Sequence, residues 1–266
     1  MKKLFAALLA TIAAPAISAD APLPNVSPAM WVVKDADTTI YMFGTFHMLD
    51  GKRDWFNDEV KTAFDASNEL VMEVVMPEDP AALQPLIMKH AIDQSGKPLS
   101  AKLKPEVKAK LDKELGTLGV PAAAMDKLEP WFVSMTLAAV GAGKLGLKPE
   151  HGPEKVLTKA AKEKGKPISA VETVEGQIAI LDGMPEATQI ASLTHTIEGM
   201  SKLGETFMPM LAAWSSGDTE ALVKVMNSGL DNDPVVYKAM LTDRNSKWAD
   251  WIGTRMEKPG TVFMAV

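Results

Sequence analysis

Apolar residues follow two different periods along this chain. Met30-Trp31-Val32-Val33 and Thr38-Thr39-Ile40-Tyr41-Met42-Phe43 are rich in β-branched and aromatic residues, and they flank the polar link Lys34-Asp35-Ala36-Asp37. Two β-prone runs around a short Asp-bearing turn predict a hairpin. Leu70 to Met76 is an apolar run that ends before Pro77 and carries one carboxylate, Glu73, in its middle. Pro167-Ile168-Ser169-Ala170-Val171 predicts a further buried strand, with Glu172 at its carboxyl end.

Between these runs the period becomes helical. Trp55 to Ser67 is amphipathic, and Asp79 followed by Pro80 marks a helix start, with Pro85 kinking or restarting that helix. Leu83, Leu86, Ile87 and Ala91 fall near helical spacing, and Pro105 to Leu115 and Pro130 to Leu145 continue the pattern, so about Pro80 to Lys148 reads as a helical insertion. Further helices are expected over Pro153 to Lys164, from Asp218 to Met226, and around Trp248 and Ile252. Helices alternating with strands predict an α/β fold: a mixed or parallel central sheet flanked by helices.

The amino terminus carries a separate message. Lys2 and Lys3 precede an apolar run from Leu4 to Ile17, followed by Ser18, Ala19 and Ala21. This is the layout of a signal peptide over residues 1–19, too short to span a bilayer comfortably, and it implies a periplasmic or secreted protein with residues 20–266 as one α/β domain. No later run predicts a membrane span after cleavage. The chain contains no cysteine, which excludes a disulfide framework. Its formal net charge is −6, and removal of Lys2 and Lys3 makes it more acidic; with no clustered basic face, nucleic acid is excluded as a partner.

The candidate chemistry begins where the second β run stops, at Gly44-Thr45-Phe46-His47. A glycine that permits unusual backbone angles, a small hydroxyl and an imidazole follow one another just past a strand's carboxyl end, where open α/β sheets hold ligands. Glu73, if buried, requires a metal, a cation or hydrogen-bond donors; the alternative is an edge strand with Glu73 in water. The other histidines read differently. His90 lies on the apolar side of its helix and reads as a packing residue, His151 falls in a loop, and His195 lies off the Leu193, Ile197, Met200 stripe. Gly141, Gly143 and Gly146 match a dinucleotide fingerprint by letter only, because they end a helical pattern. Neither H-E-x-x-H nor G-x-S-x-G is present.

The Trp-containing hairpin, G-T-x-H, the amphipathic helix and the strand Leu70-Val71-Met72-Glu73 together resemble the TraB/GumN family, related to the Tiki proteins. The likeness continues through Gly165-Lys166-Pro167-Ile168 to Val171-Glu172-Thr173 with Gln177, through Trp214 to Asp218, and through Leu241 to Asn245. The resemblance implies an α/β fold and, for Tiki-like members, a metal-dependent peptidase. It implies His47 and Glu73 as ligands of a divalent metal (Mn, Co or Zn), with Glu73 alternatively the general base. It gives Arg244 a role in clamping a carboxylate or developing negative charge, and makes Gly44, Thr45, Glu172 and Asn245 candidate contacts to a peptide or small-molecule substrate. The family also carries a second G-x-x-H directly after a C-terminal strand. Thr261 to Val266 resembles that strand, and no histidine follows it. The expectation is a C-terminally incomplete chain; the alternative is a copy lacking half of its site. Two other functional readings stand beside the peptidase: a non-catalytic module that binds a peptide or signal in the same cleft, and an esterase-like hydrolase.

Overall fold

The structure, a computed structural model, describes residues 23–230 and 233–266. The expected signal segment, residues 1–19, lies outside the described residues. A five-stranded sheet forms the centre, with strands β1 (Met30–Lys34), β2 (Thr38–Phe43), β3 (Glu69–Met72), β4 (Ile168–Ala170) and β5 (Gly260–Ala265) in the spatial order β1-β2-β5-β3-β4. The expected hairpin is present as the antiparallel pair β1–β2, and every other pairing is parallel. The sheet is therefore mixed. The last strand, β5, is fully flanked, between β2 and β3.

Helices cover the sheet and build an extension beside it. Helix α1 (Asp58–Ala66) connects β2 to β3. The insertion between β3 and β4 contains α2 (Gln84–Ala91), α3 (Leu99–Lys102), α4 (Pro105–Leu118), α5 (Ala122–Met125), α6 (Pro130–Lys144) and α7 (Pro153–Glu163). After β4 come α8 (Val174–Asp182), α9 (Glu186–Gly199), α10 (Leu203–Ser216), α11 (Thr219–Leu230), α12 (Pro234–Tyr237) and α13 (Asp243–Met256). The capping signals act as expected. Asp79 accepts from the amide of Ala81, a 3₁₀ turn follows, and Pro85 sits in the first turn of α2, so the proline restarts the helix rather than kinking it.

Two expectations on strands change. The sheet ends earlier than the apolar run, since β3 stops at Met72 and Val75 and Met76 are exposed. Glu73 is thus the first residue past the strand, not its middle. Strand β4 is a three-residue edge strand, only partly buried, because no strand among the described residues pairs on its outer side.

The main core lies between the sheet, α1, α7 and α10. Phe43, Phe64 and Phe263 are fully buried, each ring edge or face meeting another. Removing such a side chain from water stabilises by about 1.5–3 kcal/mol each. On the other sheet face, Ile40, Val71, Val262 and Met264 pack against Trp248, Trp251 and Ile252 of α13. The insertion has a cluster of its own, in which Leu111, Leu115, Val133 and Leu137 meet Leu193 and Ile197. Helix α6 belongs to both bodies, since Ala142 joins the main core.

Candidate functional site at the carboxyl edge of the sheet

Because β2, β5, β3 and β4 run parallel, their carboxyl ends emerge along one edge. Phe43 and Met72 both align with Ala265, and Met72 aligns with Ala170, so the segments that follow start at one level. Main-chain hydrogen bonds continue past the strands. The amide of Val266 donates to Phe43, that of Thr45 to Val266, that of Glu73 to Ala265, and that of Glu172 to Glu73, at 2.9–3.1 Å. The loop bearing His47 and the residues Glu73 and Glu172 are thereby tied into one backbone lattice.

Gly44 does not adopt a left-handed backbone, and a Cβ there would meet only the Trp31 ring, at 3.8 Å. Its part in the site is its carbonyl, which accepts from Trp214 Nε1 at 2.8 Å. The glycine the loop depends on is Gly152, just before α7. A Cβ added to Gly152 would fall 2.9 Å from the carbonyl carbon of His47 and closer still to its oxygen.

That close approach delivers a residue that sequence reasoning missed. Glu154, in the first turn of α7, places Oε1 2.6 Å from His47 Nδ1. The hydrogen bond to Glu154 raises the His47 pKa above its usual 6.5. Burial pushes the Glu154 carboxyl up, but hydrogen bonds from His47 and Thr45 outweigh it and leave that carboxyl below its usual value. The imidazole itself is 70% exposed, open to the cleft. Only an ordinary helix start, Gly152-Pro153-Glu154, marked this position in the sequence.

The second half of the site is an ion network around Arg244, on the first turn of α13. Arg244 Nε donates to Glu172 Oε1 at 2.9 Å, Nη2 donates to Glu73 Oε1 and to Glu172 Oε2, and Nη1 donates to the carbonyl of Met240 at 3.2 Å. Gln177 donates to both carboxylates, and Trp248 Nε1 donates to Glu172 at 2.8 Å. The Trp248 ring also lies 4.9 Å from the guanidinium. Burial pushes the Glu172 carboxyl up, and its bonds to Arg244 and Gln177 more than reverse this; burial likewise acts to lower the Arg244 pKa, and the two carboxylates raise it. One cation facing two carboxylates leaves a negative charge at the cleft.

His47, Glu73, Gln177, Met240 and Arg244 line one cleft of about 160 Å³. Of the residues marked in the sequence, His47, Glu73 and Arg244 therefore come together. Glu172 lies behind Arg244, Gly44 and Thr45 contribute main-chain and hydroxyl contacts, and Asn245 is exposed outside the cleft lining. His90, expected to pack, is mostly buried and held by a carboxylate, its Nδ1 2.6 Å from Asp182 Oδ2, and His195 is exposed.

A divalent metal in this cleft would need free donor atoms. His47 Nδ1 is taken by Glu154, as in histidines that bind metal through the other nitrogen, and Glu73 Oε1 is taken by Arg244 and Gln177. That leaves one imidazole nitrogen and one carboxylate oxygen. Among the described residues no group of three His, Cys, Asp or Glu side chains is placed to hold a metal. Catalytic zinc sites use three protein ligands, so these residues alone do not fit one.

Fold and site together define an α/β protein with a mixed sheet and a polar cleft at its carboxyl edge, built on a carboxylate-held imidazole and a guanidinium-held carboxylate pair. The chain belongs to the TraB/PrgY/gumN family, whose sequence profile matches residues 29–266. It is 27% identical over 149 residues to the uncharacterized protein YbaP of Escherichia coli (strain K12), and equally to that of Shigella flexneri, covering 56% of this chain and 54% of each relative. The match thus spans about half the length of these curated relatives. No solved structure gives a significant match. No helix among the described residues is long and apolar enough to cross a membrane.

Proposed function

We propose that the chain is a hydrolase of peptide bonds acting in the periplasm or outside the cell, with His47 as its proton-transfer group. The observation that supports this most directly is the 2.6 Å contact between Glu154 and His47 Nδ1, with the imidazole open to a cleft that also holds Glu73. Glu154 keeps the proton on Nδ1 and leaves Nε2 as the acceptor. In the step proposed, Nε2 takes a proton from water as the water oxygen bonds to the amide carbonyl carbon. The carbon–nitrogen bond then breaks, and the proton passes from His47 to the leaving amine, giving an acid and an amine. Glu154 stays ionised and stabilises the imidazolium that forms in between. Arg244 and Gln177 are positioning residues that hold Glu73 towards the cleft.

A divalent metal (Mn, Co or Zn), implied by the family resemblance, is the alternative to this step: with Nδ1 on Glu154, His47 would hold it through Nε2 and would not then take the proton, and Glu73 would be its second ligand. A bound metal would lower the pKa of a water and polarise a carbonyl. Val266, just after β5, pairs with Phe43 and Thr45 and so ties that strand to the His47 loop.

A second reading, peptide binding without turnover, has one observation in its favour. Four of the five N–H groups of the Arg244 guanidinium already have acceptors, which leaves a single Nη1 N–H for developing negative charge. The experiment that separates the two is peptide hydrolysis by wild type and His47→Ala, each with chelator and with added Mn²⁺, Co²⁺ or Zn²⁺. Turnover lost in the variant supports the hydrolase. Peptide binding lost in His47→Ala, with no turnover by wild type under any condition, supports the binding module.

A further inference from the structure

Next to the polar cleft lies a second, larger cavity of about 350 Å³. His47 and Met135 line both, so the two spaces adjoin across these residues. The walls of the second space are almost entirely apolar. Three helices and the His47 loop enclose it, and each presents a face set by helical spacing.

On α6, Ala138, Ala139 and Ala142 lie three, four and seven residues after Met135 and form a single stripe with it. The opposite side of the same helix, Val133 and Leu137, is buried in the insertion's own cluster. The three alanines are what keep the cavity open, because side chains of ordinary core size at that stripe would fill it. Phe207 and Met210 of α10 face the stripe, and Leu222 and Met226 of α11 close the far side, while Phe46 and Met48 flank His47 itself. Met135 and Met226 are 54% and 41% exposed, so the rim leaves large apolar surface in water.

We propose that this cavity is the subsite for a large apolar side chain, leucine-sized or larger, on the residue flanking the bond to be broken. The proposal rests on the peptide-hydrolase reading of the His47 cleft and names its substrate class. Three observations select this occupant. His47 lines the cavity, so a side chain seated in it brings its own main chain close to the His47 loop. Its volume lies within the range of small-ligand pockets, about 300–1,000 Å³. Its lining offers no partner for a charged side chain beyond His47 and Thr45, and the adjoining cleft carries excess negative charge from Glu73 and Glu172 against Arg244, which disfavours acidic residues. Methionine's flexible side chain adapts to irregular shapes, so the preference is for size and apolarity rather than for one residue.

The test is a panel of blocked heptapeptides carrying Ala, Leu, Phe, Trp or Asp at successive positions, with kcat/KM measured for wild type, Ala138→Phe and Met210→Ala. Wild type is expected to favour Leu or Phe over Ala at one position by about 10- to 200-fold, the range one apolar pocket can supply. Ala138→Phe should lower that ratio at least about tenfold, and Met210→Ala should move the preference towards Trp, opposite shifts that general damage to the fold would not produce. If Ala138→Phe does not fold, Met210→Ala decides alone. Equal ratios in all folded proteins would overturn the proposal. If wild type cleaves no peptide, the hydrolase reading has failed, and the same peptides are followed by fluorescence anisotropy instead. Tighter binding of the Phe peptide than the Ala peptide, weakened in Ala138→Phe, would sustain the apolar subsite without catalysis. Indistinguishable affinities would end it.

Discussion

Gly152 lies against the main-chain carbonyl of His47 so closely that any side chain would displace one of them. The backbone at Gly152 is extended, with φ −67°, which any residue adopts, so the constraint is contact alone. Gly152→Ala must therefore push α7 and the His47 loop apart and lengthen the contact between Glu154 and His47. A misplacement of this kind, of about 1 Å, costs on the order of a hundredfold in rate. The expected result is a loss of about 10- to 100-fold in kcat/KM with a smaller change in thermal midpoint, measured side by side.

Arg244 holds two carboxylates that are each less than a fifth exposed. Arg244→Ala leaves them facing each other without a cation, and removal of one partner from such a buried set costs about 3–5 kcal/mol. Urea denaturation at neutral pH should show a loss near this size. Glu172→Gln in the same background should recover part of it. Since Glu172 has a folded pKa below its usual 4.5, the network's contribution is present above that value and is lost as pH falls through the folded pKa. The gap between wild type and Arg244→Ala should accordingly narrow in acid.

Trp214 links the aromatic core to the site. It is 3% exposed, packs on Phe43, Phe46 and Trp55, and donates to the carbonyl of Gly44. Trp214→Phe keeps a ring and removes the donor, for an expected loss of about 1–2 kcal/mol. Trp214→Ala also opens a cavity and should cost about 3–5 kcal/mol. Chemical denaturation of the two variants measures both.

Much of this was legible in the sequence. The hairpin followed from two β-prone runs around an Asp-bearing link, and Asp79-Pro80 marked a helix start where the structure has one. His47 and Glu172 were visible as polar residues at strand ends, and Glu73 as an isolated acid. What stayed hidden was pairing across distance. The Glu154 carboxylate is 107 residues from His47, and it reads in sequence as an ordinary acid in a helix's first turn. The strand order hid it too, because β5, from the end of the chain, inserts between β2 and β3 and so brings Arg244 and the Glu73 region together. The end of β3 was misread because Val74, Val75 and Met76 continue the apolar run after pairing has stopped. The apolar cavity was invisible because alanines at helical spacing look like helix filler until other helices are seen to stand back from them.

The central claim is that a Glu154-held imidazole moves the proton, and the pH dependence of kcat/KM on a blocked apolar peptide tests it most directly. His47 must be neutral to accept a proton, and Glu154 raises its pKa, so activity should climb with pH along a limb centred above the usual 6.5. Glu154→Gln removes the cause of the shift and should move that limb to lower pH while reducing the plateau; His47→Ala should abolish the limb along with the activity. A wild-type limb centred below 6.5, or one that Glu154→Gln leaves in place, would contradict the account.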